Sequence, residues 1–169
     1  MERGCWLLTK DPYQVRLVAR ESTASLVHRM ARAGGVPAAF VLQELGTSAV
    51  RGGAAVDPRF AEVYLSRAAL ERLAQVTGRP VGWLQRVLPS TADDRLLRGG
   101  RAVWDWPFTT AGSIVRACPL CAGSRWAPAD TWLMTTDPWQ LCVRHRRWTG
   151  QHRADNQRND TEGRKTRRH

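Results

Sequence analysis

Apolar residues recur at helical spacing in two neighbouring stretches between residues 22 and 46. In the first stretch Ser22 is a good N-cap and Gly34-Gly35 would end the helix. The apolar face of this helix would comprise Leu26, Val27, Met30 and Ala31. The second stretch has Pro37 in its first turn and Gly46 as its terminator. Two short helices joined by a glycine-containing turn match a helix-turn-helix outline.

A second helical pair is predicted over residues 66–88. Ser66 can cap a helix whose apolar side would comprise Leu70, Leu73, Ala74 and Val76. Gly78-Arg79-Pro80 then makes a tight turn, and the short helix from Val81 to Leu88 would be closed by Pro89. Three polar side chains of this pair could face phosphate groups: Arg79, Gln85 and Arg86.

The rest of the chain has no strong periodicity. Residues 1–20 indicate an irregular or short-strand lead-in, residues 47–65 a mixed linker and residues 90–116 a loop-like segment. After Gly150 no apolar residue is larger than alanine, so the end of the chain cannot bury enough surface to offset the entropy of ordering. We therefore predict a mainly α protein: a helix-turn-helix-like domain over residues 1–100, a small zinc-finger or zinc-ribbon module over 101–150, and a disordered basic tail over 151–169.

The charge favours a polyanionic partner. The formal net charge is +11 over 169 residues, which is typical of proteins that bind nucleic acid or an acidic surface. The last 26 residues hold nine Lys/Arg against three Asp/Glu, and so contribute +6. The chain has neither a secretory h-region nor an apolar run long enough to cross a membrane. We therefore expect a cytoplasmic protein without a membrane partner, in which paired cysteines more often bind metal than form disulfides.

Two short motifs carry the candidate chemistry. Cys118-x2-Cys121 and Cys142-x2-His145 are separated by 20 residues, and this spacing fits one structural zinc ion held by three thiolates and an imidazole. Three thiolates on Zn²⁺ leave a net charge of −1, which Arg116, Arg144 and Arg146 could offset. A redox Cys-x-x-Cys would need a βαβ pattern, which is not visible, and a catalytic zinc would need an open position.

The eight tryptophans admit two interpretations. They could stack on bases or on a partner surface, or they could fill small cores that contain few Phe and Tyr residues. We favour core filling for Trp83, Trp126 and Trp139, and leave both interpretations open for Trp104 and Trp106. No P-loop, nucleophile elbow or paired-carboxylate motif is present, so we expect no enzymatic activity.

Three segments, in this order, resemble the TniQ family. "RLVARESTASLVHRMARAGGV" resembles the opening of that family, in which a Glu-Ser pair leads into an amphipathic helix. "LERLAQVTGRPVGWLQRVLP" looks like its next helical segment. "RACPLCAGSRWAPADTWLMTTDPWQLCVRHRR" is similar to its zinc module. The resemblance covers about residues 12–150.

The resemblance implies a non-enzymatic role in bacterial DNA transposition. TniQ proteins act as target-site selectors or adaptors that connect double-stranded DNA, or an RNA-guided CRISPR effector complex, to an AAA+ ATPase that recruits the transposase. Carried over, Cys118, Cys121, Cys142 and His145 would be the zinc ligands, and the helical pair at about 66–88 would be a DNA or partner surface. Larger members continue into a second cysteine-rich module, so this chain would be either a minimal adaptor or a truncated or repurposed relative.

The residues that we expect to contact DNA or a partner are all polar or cationic: Arg79, Gln85, Arg86, Arg144, Arg146 and Arg147. A zinc-containing helix-turn-helix transcriptional regulator is the first alternative function. A zinc-dependent enzyme that modifies nucleic acid is the second.

Overall fold

The structure, a computed structural model, describes residues 15–46, 57–59, 62–92, 97, 103–105, 113–123, 131–135 and 139–150. Within these ranges the helices are α1 (Thr23–Ala33), α2 (Ala38–Glu44), α3 (Arg67–Thr77), α4 (Val81–Val87) and α5 (Pro119–Gly123). The strands are β1 (Glu62–Tyr64), β2 (Val103–Asp105), β3 (Ser113–Arg116), β4 (Trp132–Thr135), β5 (Trp139–Cys142) and β6 (Arg147–Gly150). Helices thus make up most of the regular structure, as expected of a mainly α protein.

Helix α1 begins and ends where its capping residues indicate. The Ser22 side chain accepts a hydrogen bond from the backbone N–H of Ser25 at 3.0 Å, and Gly34 is the C-cap. The predicted apolar face is buried, from Leu26 to Ala31. Helices α1 and α2 thus confirm the predicted first helical pair. The predicted place of Pro37 is wrong, since Pro37 is the N-cap of α2 and does not lie within its first turn.

The second pair is also confirmed. The Ser66 side chain caps α3 by accepting from the backbone N–H of Ala69 at 3.2 Å. Gly78 ends α3 in the left-handed conformation, with φ of 63°, which glycine adopts at little cost. A single core joins both pairs, and its largest fully buried aliphatic side chains include Leu26, Val41, Leu65, Leu70, Leu73, Leu84 and Leu88.

Strands β1, β2 and β3 were not anticipated, because they lie in segments expected to be linker or loop, whereas β4, β5 and β6 lie within the predicted zinc module. Strand β1 pairs antiparallel with β2, with Val63 opposite Trp104. Strand β3 pairs with β4, and β5 pairs with β6. The β1–β2 ladder joins residues on both sides of the domain boundary that we predicted at residue 100, and that boundary remains a prediction.

The start of α1 is hydrogen-bonded directly to strand β4, the partner of β3. The backbone N–H of Ser22 donates to the carbonyl of Trp132 at 2.9 Å, and the N–H of Trp132 donates to Ser25 Oγ at 2.9 Å. The N–H of Met134 donates to the carbonyl of Arg20 at 2.8 Å. Residue 20 has a φ of 66°, so the chain turns sharply here before it enters the helix.

Glu21 and Arg29 form a buried ion pair beneath this junction. The guanidinium donates from Nε to Glu21 Oε1 at 2.7 Å and from Nη2 to Oε2 at 2.6 Å, and the Glu21 and Arg29 side chains are 0% and 4% exposed respectively. Ser25 Oγ also donates to Glu21 Oε1 at 2.9 Å. Burial raises the pKa of Glu21, while the hydrogen bonds and charge of Arg29 oppose that rise. A charge buried in this way needs its partner.

Glu62 is a second buried carboxyl group at the same helix end. Its Oε1 accepts from the backbone N–H groups of Ala24 at 2.9 Å and Val63 at 2.7 Å, and so occupies the N-terminus of α1. Its Oε2 has no hydrogen-bond partner among the described residues. Complete burial raises the pKa of Glu62 to about 8, although the backbone hydrogen bonds oppose the rise.

The predicted disordered tail, residues 151–169, lies outside the described residues.

Within the described residues, no helix combines the length and the apolar character needed to cross a lipid bilayer.

Glu62→Gln should flatten the dependence of stability on pH. With a folded-state pKa raised to about 8 from the usual 4.5, the folded protein holds a proton that the unfolded chain releases. Stability contributed by this group is therefore present at low pH and is lost as the pH rises from about 4.5 to 8, at up to about 1.4 kcal/mol per pH unit. Urea unfolding at pH 5, 6.5 and 8 measures the effect.

The glutamine side chain of this variant keeps an oxygen for the two backbone donors and does not ionise. The matched control is Glu71→Gln, since Glu71 is exposed on α3 and pairs only with Arg67 at 3.3 Å among the contacts described. Parallel stability curves for the wild-type protein and Glu62→Gln would refute the assignment of this pH dependence to Glu62.

Candidate metal centre

The first pair of ligands lies on the turn that leaves strand β3. Cys118 follows β3 by two residues, and Pro119 opens helix α5, a position where proline is well suited because it lacks an N–H. The N–H of Ala122 donates to the carbonyl of Cys118 at 2.9 Å. This single helical turn brings the thiol of Cys121 to the same side as that of Cys118.

The second pair lies on the β5–β6 hairpin. Cys142 is the last residue of β5, and His145 lies in the four-residue turn that leads into β6. Arg146 closes the turn with a φ of 49°, in the left-handed region that favours glycine. The reversal of the chain directs the imidazole of His145 back toward the sulfur of Cys142.

The structure brings all four predicted ligands together. Their ligand atoms lie within 4.8 Å of one another. His145 Nδ1 is 3.5 Å from Cys118 Sγ, 3.3 Å from Cys121 Sγ and 3.6 Å from Cys142 Sγ. The sulfurs of Cys121 and Cys142 are 3.6 Å apart. The four residues could therefore hold a metal ion.

These distances match the edges of a tetrahedron around zinc. Zn–S bonds of about 2.3 Å and Zn–N bonds of about 2.0 Å place two sulfurs about 3.8 Å apart and a sulfur and a nitrogen about 3.5 Å apart. A disulfide would instead bring two sulfurs to about 2.0 Å. Cys118, Cys121 and Cys142 are not joined by disulfides. The donor set and its spacing thus fit zinc, with Nδ1 as the nitrogen ligand.

The sulfurs of Cys121 and Cys142 affect each other's pKa. A backbone hydrogen bond from His145 lowers the pKa of Cys142 to about 6. Burial, together with the neighbouring sulfurs of Cys142 and Cys118, raises the pKa of Cys121 to about 11. A cation held between closely spaced thiolates would offset their mutual repulsion.

The six predicted contact residues fall on two different parts of the fold. Arg79 and Arg86 are exposed and Gln85 is half-buried, at the α3–α4 turn and on α4. The guanidinium carbon of Arg79 lies 5.4 Å from the centre of the Trp83 ring, a cation–π distance. Trp83 itself packs against the helical core, as expected for core filling. The other three are exposed on the β5–β6 hairpin: Arg144, Arg146 and Arg147.

Sequence reasoning missed the residues that fix the metal centre to the helices. In the sequence, Glu21 and Ser25 are recognisable only as part of a helix start, and Glu62 lies in the segment that we interpreted as a linker. A buried glutamate in that segment has no signal of its own. Glu21 and Arg29 are eight residues apart in the sequence. This separation suggests an ion pair only after the helix that carries Arg29 has been located.

The family model TniQ matches residues 12–148. This range covers most of the chain and includes both helical pairs and all four ligands.

The chain belongs to the TniQ family.

No curated protein and no solved structure matched the chain. Membership of TniQ associates the chain with DNA transposition and with a family of adaptors that are not catalytic. The Glu-Ser pair at the family's opening acquires a physical explanation in this chain. Glu21 is the buried partner of Arg29, and Ser22 caps the helix that follows.

Cys118→Ser should remove the metal and unfold the metal module. The affinity of a structural zinc site is folding free energy, about 10–16 kcal/mol in zinc-finger peptides, and Cys118 is the most buried of the ligands. Metal content per chain and thermal unfolding, followed by circular dichroism, measure the two effects. Cys5→Ser is the control, since Cys5, the fourth cysteine of the chain, belongs to neither of the two ligand motifs. A Cys118→Ser protein with unchanged zinc content and an unchanged melting curve would contradict this assignment.

Proposed function

We propose that this TniQ protein is a non-enzymatic adaptor of DNA transposition, which connects double-stranded target DNA to an AAA+ ATPase. The observation that carries the proposal is the closed set of four ligands in a chain that matches the TniQ model over residues 12–148. An RNA-guided CRISPR effector could stand in place of the bare DNA target in the same scheme.

The metal centre supports an architectural role for one zinc ion. Three sulfurs and one nitrogen at these distances would fill every position of a tetrahedral zinc ion, whereas a catalytic zinc keeps a position for water or substrate. The zinc would hold the β5–β6 hairpin against α5. Strand β3, which leads into α5, pairs with β4, and β4 is in turn hydrogen-bonded to the start of α1.

The second helical pair is the proposed DNA surface. Its two helices are joined by the tight turn at Gly78, and in the proposal they act as a helix-turn-helix. Arg79 is held above the Trp83 ring, which reduces the freedom that its side chain would lose on binding. Arg86 is exposed on α4, and the formal net charge of +11 would draw the whole chain to DNA.

Arg79→Gln and Arg86→Gln should each weaken binding to duplex DNA and reduce its salt dependence. Each lost phosphate contact lowers the slope of log K against log salt by about 1. Fluorescence anisotropy with a labelled duplex between about 50 and 200 mM salt measures both quantities. Arg32→Gln is the control, because Arg32 is exposed in the last turn of α1, outside the second helical pair. Slopes that stay equal to the wild-type slope in both variants would remove this surface from the proposal.

The adaptor function predicts that the purified chain retains an AAA+ ATPase encoded beside it, and that duplex DNA increases the amount retained. A pull-down with and without DNA at two salt concentrations measures this. Retention only at low salt would indicate non-specific electrostatic contact. Tight binding to one palindromic operator with no ATPase retained would instead favour the transcriptional regulator.

A further inference from the structure

Exposed apolar side chains concentrate at the metal centre. Among the described residues, five large apolar side chains are exposed, and four of them belong to the elements that carry the ligands: Leu120, Leu141, Val143 and Trp148. Val143 is 86% exposed and Trp148 69%. Single exposed apolar residues need no explanation, whereas several together on a small element are typical of an interaction site.

Three of these residues share the β5–β6 hairpin, and two of them share one face. Leu141 lies directly opposite Trp148 in the ladder, and Cys142 lies opposite Arg147. Because successive side chains of a strand alternate between faces, Leu141 and Trp148 point away from the face on which Cys142 meets the metal site. Val143 follows at the start of the turn. We call Leu141, Val143 and Trp148 the hairpin face.

Cationic side chains lie next to the hairpin face at the turn. Arg144 and Arg146 are exposed in the turn that Val143 opens, whereas Arg147 lies opposite Cys142 and so on the other face of the hairpin. Arg146 keeps a left-handed backbone, with φ of 49°, at a position where glycine would be more stable. The hairpin therefore presents an apolar face bordered at the turn by two exposed arginines.

We propose that the hairpin face docks onto an acidic protein surface, where its apolar side chains enter a pocket bordered by Asp and Glu carboxylates. An apolar centre rich in Trp and a polar rim rich in Arg is the anatomy of a protein–protein interface. Interfaces with DNA are more polar, and a duplex would leave Leu141 and Val143 without an apolar partner. This inference rests on the proposed adaptor function, for which it assigns the protein partner to the hairpin and the DNA to α3–α4.

Selection of random displayed peptides on the full zinc-loaded chain tests the chemistry of the partner. Enriched peptides should combine Asp or Glu with large apolar residues. Their affinity, measured by fluorescence anisotropy, should fall at least tenfold for the double variant Val143→Ser, Trp148→Thr. Enrichment of basic or purely polar peptides, or of none, would overturn the proposal, as would peptides that bind the double variant as tightly as the wild-type protein.

A second variant keeps the test decisive if the double variant loses its zinc or its melting transition. Arg146→Gly removes one guanidinium while it relieves the left-handed backbone, so the hairpin should be at least as stable as in the wild-type protein. This variant should lower the affinity for the acidic peptides severalfold. Phe40→Ser is the matched control, since Phe40 is the exposed large apolar residue, among those described, that lies outside the metal module, and it should leave peptide affinity unchanged.

The same variants separate this inference from the proposed function. The double variant should lose the ATPase in the pull-down while it binds duplex DNA with wild-type affinity and salt slope. Loss of DNA affinity with no change in peptide affinity would make the hairpin face a nucleic-acid surface and overturn the inference. So would a wild-type chain that self-associates in sedimentation and becomes monomeric in the double variant. Failure of the wild-type chain to retain the ATPase at all would refute the adaptor function instead.

Discussion

The buried ion pair between Glu21 and Arg29 is the interaction on which the rest of the arrangement depends. It lies under the first turn of α1, where Ser25 contacts the carboxylate of Glu21 and the backbone of Trp132 at once. Removal of one partner would leave an uncompensated charge in the interior, at a cost of about 3–5 kcal/mol. The loss of Glu21 would also remove the hydrogen-bond acceptor of Ser25 Oγ, the atom that accepts from the N–H of Trp132.

Charge is distributed differently on the two sides of this junction. Inside it, the Glu21 carboxylate pairs with Arg29, while the Glu62 carboxyl group, whose pKa is raised to about 8, accepts a backbone N–H group at the N-terminus of α1. Outside it, the ligand sulfurs would give the zinc site a net negative charge, and Arg144, Arg146 and Arg147 lie exposed on the same hairpin. The surplus of guanidinium groups is thus available to a partner.

The sequence predicted those parts of the structure whose signals are local. Ser22 and Ser66 mark helix starts, and Gly78 marks a helix end. Within each ligand pair the two residues are three positions apart. Strands β1 and β2 have three residues each and pair across about forty residues of chain, so neither has enough periodicity to be recognised alone. The burial of Glu62 and the exposure of Val143 both depend on which elements cover them, and composition does not reveal that. The domain bounds, the DNA surface and the tail remain predictions.

The contact between strand β4 and the start of α1 consists largely of backbone hydrogen bonds. Residues 20, 22, 132 and 134 take part through N–H and carbonyl groups that every amino acid other than proline possesses. These backbone hydrogen bonds therefore depend little on which side chains the strand carries, although Leu133 packs against Ala117 and Ala122. Sequence divergence in this module would alter what the module recognises before it altered where the module sits.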